Sequence, residues 1–170
     1  MSTRPLDRIN EIIIHCAATP NGKWFTAFDI DQWHAKRGFK RDPRQAQYSP
    51  HKHIGYHFVI GIKGGVEIGR NQYEIGAHCQ GRNLSSIGIC LVGTDKFTIR
   101  QWDALKALVL ALLMKFPNAH VLGHRDTSPD ANGDGHIDRS EWTKTCPGFD
   151  VYTWLRGEMQ PLPPHLLDMP

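Results

Sequence analysis

Three isoleucines stand in succession at Ile12–Ile14, between Glu11 and His15. Side chains alternate faces along a strand, so this run needs apolar cover on both sides of its sheet. A sheet with one wet face is thereby excluded, and layers of helix are required above and below. Further strand-length runs are His57–Ile62, Ile87–Val92 and Ala119–Leu122. Lys63, Gly64 and Gly65 form a turn after the first of these, with Val66–Arg70 as its returning partner. Helices are predicted between the strands. One starts at the N-cap Thr26, with Asp29 three residues on, and stops at Gly38. Another runs from Thr98 to about Phe116, with Thr98 and Gln101 in a capping-box pattern and Pro117 as its stop. Trp102, Leu105, Val109, Leu112, Leu113 and Phe116 recur at helical spacing and give that helix one face for the sheet. Asp150 caps a last short helix through Leu155. Strands alternating with helices predict an α/β fold, a single domain with a central mixed sheet flanked by helices.

The 170 residues suit one core rather than two. The domain is expected over 1–157, with 158–170 as a proline-rich C-terminal tail appended to it. No apolar run is long enough to cross a bilayer. The N-terminal stretch carries Arg4, Asp7 and Arg8 without an apolar core, so no secretory leader is expected and synthesis is expected in the cytoplasm. A net charge of +3 favours anionic surfaces without choosing among them. The densest basic patch, Lys36, Arg37, Lys40, Arg41 and Arg44, reads as a solvated helix end and loop. No nucleic-acid-binding motif accompanies it, and no nucleic-acid partner is expected. Cys16, Cys79, Cys90 and Cys146 are widely spaced and suggest no disulfide framework. Cys90, inside an apolar run, is expected to be a small buried hydrophobe, whereas Cys146 sits in the polar turn Lys144–Gly148 and needs another explanation.

His15 ends the first strand, His124 follows the last, and Cys146 lies in a turn beyond it. Strand ends are where an α/β sheet presents its sites. Two imidazoles and a thiolate suit zinc, and three protein ligands leave a fourth position for water. With ten histidines in the chain, spacing alone does not select these residues.

Five ordered segments select them: IIIHCAAT (Ile12–Thr19), IGYHFVI (Ile54–Ile60), GAHCQGRNLSSIGICLV (Gly76–Val92), GHRD (Gly123–Asp126) and KTCPGF (Lys144–Phe149). Together they resemble the N-acetylmuramoyl-L-alanine amidase family, over about Ile12 to Leu155. The resemblance implies zinc held by His15, His124 and Cys146. It also brings Tyr56 and Lys144 to the site. Lys144 is then expected to stabilise the oxyanion formed at the amide carbonyl, and Tyr56 to orient water or pass a proton. His78 and Asn83 fall in a stretch resembling the family's substrate-lining segment, and His34 is expected on the same groove. The implied reaction is hydrolysis of the lactyl amide bond between muramic acid and L-alanine, as a monomeric lytic endolysin acting on Gram-negative peptidoglycan after release. Two alternatives stand beside it. A cytosolic muropeptide-recycling amidase is disfavoured because comparable members end their zinc triad in aspartate. A non-catalytic peptidoglycan-binding module is disfavoured because such relatives lose the cysteine.

One motif lies outside this pattern. Asp130, Asn132, Asp134, Asp138 and Glu141 occupy positions 1, 3, 5, 9 and 12 of an EF-hand-like loop over 130–141, with Gly135 at 6. His136, at position 7, would contribute only its carbonyl. The pattern predicts a structural calcium ion. Ser128 and Pro129 precede the loop, so its usual incoming helix is expected to be missing.

Overall fold

A computed structural model describes residues 2–169, so the outer limits of the expected domain and tail, Met1 and Pro170, lie outside the described residues. In chain order the main elements are β1 (Glu11–Cys16), α1 (Ala27–Lys36), α2 (Pro43–Ala46), β2 (Phe58–Ile60), β3 (Val66–Ile68) and β4 (Ser86–Leu91). They continue with β5 (Phe97–Thr98), α3 (Ile99–Lys115), β6 (His120–Gly123), α4 (Val151–Arg156) and β7 (Leu166–Leu167). The five-stranded sheet runs β3-β2-β4-β1-β6. β1 is parallel to both β4 and β6, β2 is parallel to β4, and only the β2–β3 hairpin is antiparallel. This is the mixed α/β sheet expected from the sequence.

Both faces of β1 are covered, as its isoleucines require. Ile12 and Ile14 join Ile87, Ile89, Leu91, Trp102, Leu105, Val109 and Trp154 in the larger apolar layer, under α3 and α4. On the opposite face Val59, Cys90 and Val92 meet Ala27 and Ile30 of α1. Cys90 is fully buried, as expected. Thr26 and Thr98 cap α1 and α3 through complete capping boxes with Asp29 and Gln101. Thr98 also donates its hydroxyl to the Ile62 carbonyl at 2.7 Å, tying the start of α3 to the segment after β2.

Two expectations are corrected. The basic patch is not uniformly solvated. Arg44 is exposed, but Arg41 is buried against Glu74 at 2.6 Å and donates to the His51 carbonyl, which pins the loop after α1. The segment after Gly157, expected as an appendage, packs on the domain. Met159 and Leu162 lie against the α3 layer, and Leu166–Leu167 pair with Phe97–Thr98. Its apolar side chains account for this, since leaving them in water would cost more than ordering the short prolyl segment.

Deleting residues 158–170 is therefore expected to lower stability by about 2 kcal/mol, or about 4–8 °C in melting temperature. Thermal unfolding of the truncated and full chains checks this; an unchanged midpoint would make the segment a loose tail after all.

Candidate metal centre

The register of the sheet builds the centre. Ile14 pairs with Gly123, so the chain one residue further on places His15 beside His124 at the carboxyl end of the parallel strands. Their imidazoles lie 4.5 Å apart, centroid to centroid. Gly123 admits the third partner: a Cβ there would sit 2.7 Å from Pro147 Cδ, so only glycine lets the Cys146–Pro147 turn close on the end of β6. The Arg125 amide donates to the Cys146 carbonyl at 2.8 Å, and the Cys16 amide donates to Cys146 Sγ at 3.2 Å. Ligand atoms of His15, His124 and Cys146 all lie within 4.8 Å of one another. Among the described residues this is the convergent set of potential metal ligands, and its nitrogen and sulfur donors suit zinc.

Burial and neighbouring positive charge keep the two imidazoles deprotonated. Burial, then the proximity of His124 and Lys144, holds His15 well below the usual imidazole pKa. Burial followed by Lys144 lowers His124 to about 4. Both rings are therefore neutral at pH 7, with lone pairs available. Cys146 is shifted the other way, first by the neighbouring Cys16 thiol and then by burial, so it carries its proton.

His124 and Cys146 open into a cleft of about 420 Å³ lined also by Cys16, His34, Arg37, Phe39, Tyr56, His78 and Lys144, while His15 is buried. A contiguous lobe adds Cys79, Gln80 and Asn83. Three further cavities of about 320–390 Å³ lie elsewhere among the described residues, but none contains a convergent ligand set, so the chemistry singles out this cleft. Its fixed cations are Arg37 and Lys144, and no carboxylate lines either lobe.

Each expected residue can now be placed. The Tyr56 ring is 5.1 Å from that of His15, and burial raises its phenol well above 10. Lys144 is exposed on the cleft rim, two residues before Cys146. His34 lines the cleft but is buried. Its Nδ1 accepts the Gly55 amide at 2.9 Å and its ring stacks on Phe39, which anchors the backbone beside Tyr56. The Asn83 side-chain oxygen is spent on the amides of His78 and Cys79, at 2.8 and 2.9 Å. His78 lines both lobes of the cleft, with its Nδ1 3.0 Å from His15 Nε2. Sequence reasoning missed Arg37, Phe39 and Cys16 as cleft residues. Only the position of Cys16 next to His15 could have pointed to any of them.

The acidic loop lies outside this centre. Asp130 accepts the amides of Gly133 and Gly135, and Glu141 accepts those of Ala131, Asn132 and Asp138. Gly135 has the positive φ of +84° that its position in the motif requires. The missing incoming helix is as expected: a short 3-10 turn, His124–Thr127, ends just before the loop. Asn132, Asp134, His136 and Asp138 are on the exposed excursion. The base of the excursion is closed by the Thr143 amide on Ser128 Oγ at 3.0 Å and by Arg125 stacked over Trp142.

Comparisons with known proteins agree with this geometry. A family model described as N-acetylmuramoyl-L-alanine amidase matches residues 5–149. The endolysin of Escherichia phage T7 is 33% identical over 151 residues, covering 84% of this chain and 83% of that protein. The endolysin of Enterobacteria phage T3 is 32% identical over 159 residues, covering 89% and 88%. Among solved structures, the N-acetylmuramoyl-L-alanine amidase LysC from Clostridium intestinale URNW superposes with a TM-score of 0.66 at 23% identity, covering 94% of this chain and 92% of that one, and shares the fold.

With two neutral imidazoles and one protonated thiol, uptake of a divalent metal at pH 7 is expected to expel about one proton. Calorimetry in buffers of different ionisation enthalpy reads that number directly; release of two or more would mean that the histidines are charged before the metal arrives.

Proposed function

The chain belongs to the N-acetylmuramoyl-L-alanine amidase family and is an amidase enzyme; from that premise we propose that it is a zinc-dependent endolysin hydrolysing the lactyl amide bond between muramic acid and L-alanine. The observation that carries the reading is the convergence of His15, His124 and Cys146, two of which line a cationic cleft. Zinc held by His15, His124 and Cys146 would supply a Lewis acid and make water a better nucleophile at neutral pH. Lys144 supplies positive charge where the amide carbonyl oxygen turns anionic. Tyr56 keeps its proton across the physiological range because burial raises its pKa, so it donates a hydrogen bond, orienting water or passing a proton. Arg37, also lining the cleft, suits an anionic stem peptide. His34, His78 and Asn83 support the walls of this groove.

Among the described residues no helix is long and apolar enough to cross a membrane. The matched endolysins come from phages of Escherichia and other enterobacteria, which supports a Gram-negative wall as the target; a monomeric enzyme released from the cytoplasm at lysis is part of the same proposal.

The reading is tested by incubating the purified chain with Gram-negative peptidoglycan and measuring free L-alanine amino groups. The zinc-loaded wild type is expected to release them and Cys146→Ser to release none. Lys144→Ala is expected to lower kcat about 100-fold or more with little change in KM. Binding of peptidoglycan without amino-group release would make the chain a recognition module. Turnover confined to soluble muropeptides would make it a recycling enzyme.

Calcium in the loop 130–141 is a second, separable part of the proposal. Its support is the order of oxygen donors Asp130, Asn132, Asp134, Asp138 and Glu141 together with the His136 carbonyl position. Because the base of the excursion is closed by Ser128, Thr143 and Trp142, the ion would stabilise the loop without being needed to hold Cys146. Calcium at about 100 times its Kd is expected to raise the melting temperature by about 5–10 °C. Asp130→Ala and Glu141→Ala should abolish that shift. A wild type indifferent to calcium would reduce the segment to a surface turn.

A further inference from the structure

His78 does not present a free nitrogen to the cleft. Its Nδ1 lies 3.0 Å from His15 Nε2, and its Nε2 lies 3.4 Å from Ser86 Oγ. The backbone is shaped around its ring. A Cβ at Gly88 would sit 2.6 Å from the His78 Cγ, and a Cβ at Gly76 would sit 2.5 Å from its Cδ2. Any other residue at either position would displace the imidazole, so strand β4 and the turn before it leave out two side chains to seat it.

The proton positions follow from what each partner can do. Ser86 Oγ is 2.8 Å from the Arg82 carbonyl oxygen. That oxygen can only accept, so the single hydroxyl proton of Ser86 is committed to it. Toward His78 the Ser86 oxygen then offers only lone pairs, which makes His78 Nε2 the donor. A neutral imidazole with its proton on Nε2 has a bare Nδ1. Across the 3.0 Å contact the donor must therefore be His15 Nε2–H. His15 is left with its lone pair on Nδ1, the nitrogen not engaged by His78.

We infer that His78, which also lines both lobes of the cleft, is a positioning residue for the metal centre. The relay from the Arg82 carbonyl through Ser86 and His78 locks His15 in the Nε2–H tautomer and orients its Nδ1 toward the metal. A ligating histidine is ordinarily held by a carboxylate, a carbonyl or water on its other nitrogen. Here a second imidazole does that work. The inference rests on the zinc reading, and its test separates the two.

Long-range 15N–1H spectra of the full chain, zinc-loaded and after chelation, report each histidine tautomer. His15 and His78 should both carry their proton on Nε2 in the chelated protein, and His15 should keep it there with zinc bound. Zinc affinity, measured by competition with a chelating dye, should fall about 10- to 100-fold in His78→Leu. His78→Asn places an acceptor oxygen near the position of Nδ1 and should restore most of the affinity. Ser86→Ala should leave a mixture of His78 tautomers. A His15 proton on Nδ1, or a His78→Leu chain that binds zinc as tightly as wild type, would overturn the inference. A wild type that binds no zinc would instead sink the reading beneath it, while the tautomers of the metal-free chain still decide the relay.

Discussion

The parallel pairing of β1 with β6 is the constraint on which the rest of the site depends. It fixes Ile14 opposite Gly123, and with that register the next residue on each strand is a histidine. Side chains alternate along a strand, so a one-residue slip would send one imidazole into the apolar layer beneath α3. Slippage is opposed by the isoleucines, because Ile12 and Ile14 fill that layer while Ile13 is buried on the opposite side. The same apolar pattern that specifies the fold therefore also sets the spacing of the first two ligands.

The third ligand arrives by a different route. Cys146 follows a long excursion with little regular structure, and three local devices return the chain to the right place. The Ser128–Thr143 bond and the Arg125–Trp142 stack close the base, and the side-chain-free Gly123 lets Pro147 approach. Arg125 then serves twice, since its guanidinium also reaches Asp150 at 2.8 Å and joins the excursion to the start of α4. The polar wall behind His15, formed by His78 and His57, is likewise held by glycines and buried hydrogen bonds rather than by apolar packing. The His57 and His78 imidazoles are tolerable there because each is hydrogen-bonded.

The parts of this molecule governed by periodicity were legible in the sequence. The isoleucine run, the stripe from Trp102 to Phe116 and the caps at Thr26 and Thr98 gave the α/β class and placed the strands to within a residue or two. The candidate ligands were selected only through the ordered motifs, because nothing in spacing alone distinguishes His15 from the other histidines. What remained hidden depends on contacts between distant segments. Arg37 and Arg41 belong to one basic stretch, yet Arg37 lines the cleft and Arg41 is buried on Glu74. No local pattern separates two arginines four residues apart. His78 was expected to face substrate, and only the structure reveals Ser86 and Gly88 on its far side. The segment after Gly157 looked like an appendage because its partner strand, Phe97–Thr98, is two residues long and some seventy residues away.

The central claim is that one zinc ion sits on two imidazoles and one thiolate at the carboxyl ends of β1 and β6. X-ray absorption at the zinc edge of the loaded chain tests it most directly. The account predicts a four-coordinate shell with one sulfur at about 2.3 Å and nitrogen or oxygen neighbours at about 2.0–2.1 Å, two of them imidazoles. A shell without sulfur, or a six-coordinate oxygen shell, would contradict it.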